Sequence, residues 1–299
     1  MTSKCPAGKK PLLINLDETS LGVHVKAGAG TVVTARTPGG LAEMLGTKPT
    51  LADLRGAVTH VALVCDEPSL QPLLPQVLIG NKKLFTKKLT KQVVVPKGVH
   101  LLSEKTSWNS AAIMVKILGL LAEALEPHRA KFQPVLLLDC CTCHLSRTVL
   151  DEARARQLPL VCVPASTTYL LQPLDTRVFQ GYKSFLRAGY LQLQTQSAEG
   201  RVPPDAWLRL VMEVASKYLR SHSWREAFVS VGAGAADATQ LSTALRSREL
   251  PFPTGDAPRI SQEQLTNLLP KNKRLLLADF SSLDAPRKRL CRKTSSASA

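Results

Sequence analysis

The run Val135-Leu136-Leu137-Leu138 constrains this chain more than any other stretch. Four consecutive apolar residues without polar alternation read as a strand buried on both faces. Ser146 to Arg156 follows with a helical pattern, and Leu160-Val161-Cys162-Val163 reads as the next strand. Strand, helix, strand within about 30 residues is a βαβ unit, so the two strands pair in parallel and the fold class is α/β.

The elements before this unit are rich in strands. Leu12 to Leu16 read as a short buried strand ending at Asp17 and Glu18, and Val23 to Thr34 as a second strand with a turn or bulge at Gly28 and Gly30. Residues 35–57 mix Gly, Pro and charge as a loop or insertion would. Val58 to Cys65 is strongly strand-like, Pro72 to Ile79 reads as another strand, and Lys82–Lys91 as a basic connection with five lysines. Ser110 to Glu126 carries Ile113, Ile117, Leu120, Leu121 and Leu125 at helical spacing behind an Asn109 or Ser110 cap. Helical patterns recur over Asp175–Leu193, Ala206–Leu219 and Trp224–Val231. Residues 251–299 are rich in Pro, Ser and basic residues without an apolar period, which predicts disorder. The expected organisation is a polar lead over 1–10, one domain over 11–235 and a basic, largely disordered tail over 236–299.

Composition narrows the function classes. Of 299 residues, 44% are hydrophobic and 21% charged, which excludes wholesale disorder. No apolar run approaches the ~18 residues of a membrane helix, and no signal-peptide core follows Met1, so neither a membrane-spanning nor a secreted protein is expected. A net charge of +16 points to a polyanionic partner, foremost nucleic acid. Seven unevenly spread cysteines favour a reducing compartment over a disulfide framework. Cys140, Cys141, Cys143 and Cys162 lie near His144 in sequence. Structural zinc usually takes two cysteine pairs, no second pair is visible, and the favoured reading is small buried residues after a strand. Ala27-Gly28-Ala29-Gly30 lacks the Lys-Ser/Thr of a phosphate loop and reads as a strand turn.

Three aspartates stand at the ends of elements that should converge. Asp17 closes the first apolar strand, Asp139 closes Val135–Leu138, and Asp175 opens the helix after Leu160–Val163. On an ideal helix Val178, Phe179, Tyr182, Phe185 and Leu186 lie within about 80° of Asp175, which puts that acid on the core-facing side. Ligands of parallel α/β sheets gather beyond the carboxyl ends of the strands, where Asp139 lies. Carboxylates gathered there repel unless a cation or proton intervenes, and such clusters suit Mg²⁺ or Mn²⁺. Two ions ~3.5–4 Å apart would clamp the attacking and leaving oxygens of a phosphodiester. The competing reading is that these aspartates are helix caps and turn residues.

The block Thr168-Tyr169-Leu170-Leu171-Gln172-Pro173-Leu174-Asp175, followed by Phe179 and Lys183, resembles the DDE superfamily endonuclease domain of pogo- and Tigger-like transposases and of centromere protein B and Jerky. Leu16 to Ser20, Thr59 to Lys82, Ser107-Trp108-Asn109 and Leu137-Leu138-Asp139 with His144 resemble other segments of that family, as do the 35 residues between Asp139 and Asp175. The resemblance spans roughly residues 10–235. It implies an RNase H-like mixed sheet flanked by helices, with Asp17, Asp139 and Asp175 as the catalytic, Mg²⁺- or Mn²⁺-binding acids of a DNA endonuclease and strand-transferase. Two positions depart from the pattern: Cys140 stands where the family usually has Asn, and Tyr169 where it has His. Family members carry a helix-turn-helix reader upstream. Only sixteen residues precede Asp17, so the chain reads as a catalytic core without that reader.

Lys183 and Arg187 sit four apart on one flank of the Asp175 helix and suit a phosphate backbone or a solvated face equally. Trp108 reads as a core residue, with base stacking as the lesser option. His144 orients the second acid or caps the following helix. Asp151 falls on the 146–156 helix and Asp66-Glu67-Pro68 on a turn. Glu18 stands next to Asp17 and could assist it, although alternation turns it to the other face. The stretch Pro286–Lys293, with Arg287, Lys288 and Arg289, resembles a nuclear localisation signal or phosphate-binding tail. The chain is therefore expected to be nuclear, to bind DNA, and to leave homo-oligomerisation open. The alternatives are a non-catalytic domesticated or decayed nucleic-acid-binding protein, and a basic scaffold that nothing specific supports.

Overall fold

Leu12, Ile14 and Leu16 are fully buried on one side of strand β1 (Lys10–Leu21), and Leu13 and Leu21 are buried on the other. A strand apolar on both faces belongs inside a sheet covered on both sides. β1 occupies that place. The remaining strands of its sheet are β2 (Val58–Cys65), β3 (Gln76–Asn81), β4 (Val99–Glu104), β5 (Phe132–Asp139) and β6 (Leu160–Val163), in the spatial order β4-β3-β2-β1-β5-β6. β1, β2 and β3 form an antiparallel meander, while β5 and β6 run parallel to β1. That arrangement is RNase H-like, widened by β4, which pairs parallel to β3. A separate two-stranded ladder joins Arg36–Thr37 to Gly40–Leu41. The computed structural model describes residues 6, 8–22, 36–37, 40–41, 58–82, 85–163, 167–197 and 202–233, all within the unit Met1–Thr254.

The helices are α1 (Lys87–Gln92), α2 (Ala111–Leu125), α3 (Arg147–Ala155), α4 (Thr168–Leu171), α5 (Phe179–Gln196), α6 (Pro204–Val214) and α7 (Arg225–Ser230). Leu13, Leu21, Ala62, Val64 and Leu78 share one core with Phe179, Tyr182 and Leu186 of α5, Trp207, Leu208 and Val211 of α6, and Phe228 of α7. Alternation turns Leu12, Ile14 and Leu16 to the opposite face. The buried stripes of α2 (Ile113, Ile117, Leu121) and α3 (Val149, Ala153), which pack on each other, belong to that second layer. Serine hydroxyls cap both helices: Ser110 accepts from Ile113 N and Ser146 from Val149 N.

Several expected elements differ. The strand expected over Pro72–Ile79 begins only at Gln76, behind a 3₁₀ turn at Gln71–Leu73. Pro72 and Pro75 have no N–H for a ladder, and the buried Gln71 side chain accepts from Cys65 N at 2.7 Å and donates to Leu219 O at 2.8 Å. The basic connection contains α1, capped by Thr86, and β4 follows unforeseen. The helix expected from Asp175 opens with a π-helical turn, Leu174–Val178, and the helix after Ala206 closes with another, Ala215–Leu219. The wider first turn resets the register. Val178, Phe179, Tyr182 and Leu186 are buried as the pattern predicts, but Phe185 and Asp175 are exposed. The strand expected over Val23–Thr34 and the tail over 236–299 lie outside the described residues.

Candidate active site

The register of the parallel strands brings two acids level. Asn15 of β1 lies opposite Leu137 of β5, and Asp17 and Asp139 each stand two residues further toward the strand ends. Asn15 is fully buried. Its Nδ2 donates to Leu137 O at 3.1 Å and to Gln172 Oε1 at 3.0 Å, and its Oδ1 accepts from Leu174 N at 2.9 Å. One amide therefore ties together β1 with Asp17, β5 with Asp139 and the Gln172–Asp175 block. Sequence reasoning missed Asn15. Its signal is a polar residue inside an apolar run, two before Asp17 and thus on the same strand face.

Electrostatics brings the acids together in a second way. Burial, followed by the negative charge of Asp175, pushes the Asp17 carboxyl up to about 8. The Glu18 backbone N–H opposes this, while the Glu18 and Asp139 carboxylates add to it. All three expected acids thus act at one buried carboxyl, and Glu18 joins them. Crowding of this kind is relieved by a hard divalent cation, which takes oxygen ligands.

Alternation does turn Glu18 to the other face of β1, yet the structure links it to the cluster. Glu18 Oε1 accepts from Asn109 Nδ2 and contacts His144 Nε2 at 2.8 Å, while His144 Nδ1 contacts Asp139 Oδ1 at 2.7 Å. Burial lowers the His144 pKa, but its hydrogen bonds to Asp139 and Glu18 outweigh burial and hold it at about 10. The buried His144 ring therefore bridges the two carboxylates. His144 orients Asp139 and does not cap α3, since Ser146 does that. The Cys141 backbone N–H also donates to Asp139 Oδ1, at 2.9 Å. Cys140 is buried and its thiol donates to Val163 O on β6.

Trp108 corrects the sequence expectation: it is 77% exposed, directly before Asn109, instead of lying in the core. Trp108 stands in the bend that follows β4. Tyr169, close ahead of Asp175 in sequence, is also exposed. Lys183 and Arg187 are exposed on α5, with the Lys183 ammonium 5.6 Å from the centre of the Phe179 ring. Arg287, Lys288 and Arg289 lie outside the described residues.

The sequence profile of the DDE superfamily endonucleases matches residues 59–228, more than half of the chain. The chain belongs to the DDE superfamily. Its matched stretch carries Asp139 and Asp175, while Asp17 lies upstream on β1 and is joined to that stretch through Asn15. No curated protein matches this DDE superfamily chain. It is similar to a solved structure of the Mos1 transposase in a paired-end complex with the left transposon end, at 14% identity and a TM-score of 0.35. That match covers 77% of this chain and 57% of the other. Among the described residues, no helix is long and apolar enough to cross a membrane.

Proposed function

We propose that the chain is the metal-dependent DNA endonuclease and strand-transferase core of a pogo-like DDE transposase or of a derivative, acting in the nucleus. The observation that carries this reading is the parallel register that sets Asp17 level with Asp139, together with the Asn15 amide that ties the Gln172–Asp175 block to the same strand. Asp17, Asp139 and Asp175 would hold Mg²⁺ or Mn²⁺, as their all-oxygen donor set suits. When bound, the cation supplies positive charge opposite the scissile phosphate. The residues of the chain do the positioning. Asn15 fixes the Asp175 block against β1, and His144 fixes the Asp139 carboxylate. Lys183 and Arg187 offer positive charge to the backbone of DNA.

The test is relaxation of supercoiled plasmid by the full chain with Mg²⁺ or Mn²⁺. Nicking that requires the metal is the expected result, and an inert protein with both metals would overturn it. A second reading, a non-catalytic nucleic-acid-binding derivative, draws support from Cys140, whose thiol is spent on the Val163 carbonyl at a position where the family usually carries Asn. DNA binding is expected under either reading. Titrations should find it mainly electrostatic, weakening roughly tenfold or more between 50 and 200 mM salt.

Trp108 gives a sharper expectation for binding. An exposed indole, next in sequence to the Asn109 that donates to Glu18, suits stacking on an unpaired base, worth about 1–3 kcal/mol per base. Trp108→Ala should therefore weaken single-stranded DNA binding at least several-fold in fluorescence titrations, with little change in thermal stability. Unaltered affinity would remove the stacking role.

A further inference from the structure

We propose that Cys143, His144 and Glu18 form a binding site for a soft divalent cation, Zn²⁺ or Cd²⁺, beside the three aspartates and linked to them through Glu18 and His144. The Cys143 thiol, an imidazole nitrogen of His144 and a carboxylate oxygen of Glu18 all lie within 4.8 Å of one another. The sequence lacks the second cysteine pair that structural zinc usually takes. The fold supplies a ligand from elsewhere, because Glu18 and His144 meet across 126 positions of chain.

Three further features fit a metal site. His144 Nδ1 is held by Asp139 Oδ1 at 2.7 Å, which leaves Nε2 aimed at Glu18 and Cys143 and free to ligate once the incoming cation displaces its proton to solvent. A carboxylate on the far ring nitrogen is the usual support of a metal-ligating histidine, since it fixes tautomer and ring orientation. The His144 ring is fully buried, so it is ordered in advance, while the Glu18 side chain is 21% exposed and leaves a way in. Cys141 is a free thiol with its sulfur 3.2 Å from that of Cys143, so a second thiol stands next to the site.

Ligand chemistry selects the metal. Thiolate and imidazole favour Zn²⁺ and its softer relatives, whereas the oxygen-only set of Asp17, Asp139 and Asp175 favours Mg²⁺ or Mn²⁺. Tetrahedral bond lengths require His144 Nε2 and Glu18 Oε1 to move apart by ~0.5 Å from their 2.8 Å contact. The two sites share Asp139 through His144 and still sort cations by softness. This site does not depend on nuclease activity and can be read on the protein alone.

The experiment titrates the full, reduced, metal-free chain with Cd²⁺ in excess Mg²⁺, following the ultraviolet thiolate-to-metal charge-transfer band. Zn²⁺ is then used to displace Cd²⁺. One tight equivalent that resists Mg²⁺ is expected. Removing a supporting residue of a metal site typically costs 10–100-fold in affinity, so losing a ligand in Cys143→Ser or Glu18→Gln should cost roughly a hundredfold. Cys162→Ser should bind as the wild type does, and metal-free thermal melts verify that each variant folds. Absence of a tight equivalent, or binding unchanged in both Cys143→Ser and Glu18→Gln, would overturn the proposal.

Discussion

Changing Asp17 to asparagine is expected to abolish metal-dependent nicking and, at the same time, to make the protein harder to unfold near neutral pH. The two effects share one cause. Asp17 is buried against Asp175, Glu18 and Asp139, and its carboxyl is pushed up to about 8 from the ordinary 3.8. Between those values the folded chain keeps a proton that the unfolded chain has released. Stability therefore falls as the pH rises from about 4 to about 8, with a slope of up to ~1.4 kcal/mol per pH unit. Asparagine keeps the shape, can still accept the Glu18 N–H, and removes this slope. His144 has a slope of its own. Its pKa of about 10 lies above the ordinary 6.5, so its stabilising contribution is complete below 6.5 and is lost as the pH rises through about 10. Denaturant titrations across pH should find the segment below 8 flattened in Asp17→Asn and the segment above it retained.

Activity should move the opposite way. Each change takes one carboxylate ligand from the proposed cation site, so nicking should fall by at least about a hundredfold in Asp17→Asn, Asp139→Asn and Asp175→Asn. DNA affinity should barely change. Asp151→Asn is the control, because Asp151 only pairs with Arg147 and Arg154 on the surface of α3. Nicking that survives the three changes would sink the assignment of the acids. A pH profile unaltered by Asp17→Asn would sink the crowding.

Asn15→Leu should produce the second large effect, without touching an acid. The substitution takes the partner from Leu174 N–H and one from each of Leu137 O and Gln172 Oε1, all at a fully buried position. Each buried polar group left unpaired costs about 1–3 kcal/mol, and the Gln172–Asp175 block loses its tie to β1. Asp175 then no longer faces Asp17, so nicking should fall with DNA binding retained. The stability slope below pH 8 should also become shallower. That last readout separates a positioning role from loss of stability alone. Asn15→Asp keeps the acceptor for Leu174 N–H but can donate nothing when ionised, and it should be impaired as well. A protein with Asn15→Leu that nicks normally would remove the clamp from the mechanism.

What can be read from the sequence follows the range of the interactions. Val58–Cys65 and Leu160–Val163 are legible to the residue, the first because a strand buried on both faces is written as a local run of apolar side chains, the second because its four residues are all apolar and mostly β-branched or small. The long helix is legible within one residue at each end, because its apolar stripe and Ser110 cap lie within a few turns. β4 is not legible: it is a half-buried edge strand, so its pattern carries little apolar signal. The start of the strand after Pro75 is hidden because Gln71 and Gln76 are buried for reasons of hydrogen bonding, which hydrophobicity does not register. The π turn at Asp175 escapes any reading that assumes an ideal helix.

The candidate site divides along the same line. The apolar strands and the βαβ unit place Asp17, Asp139 and Asp175 at the ends of converging elements, and the family resemblance carried by the Gln-Pro-Leu-Asp block makes them chemical candidates. Only the tertiary structure decided how they are held. Asn15 meets Gln172 across 157 positions, and His144 meets Glu18 across 126. Such pairings depend on strand order and register, which no local window contains. Trp108 belongs with them, since its exposure depends on which layers cover the end of β4. Local residue pattern determined most of the strands and helices of this chain and named the candidate acids. Long-range packing alone decided the clamp on Asp175, the histidine bridge between Asp139 and Glu18, and the thiol beside it, because burial and hydrogen bonding between distant segments exist only once the sheet has assembled.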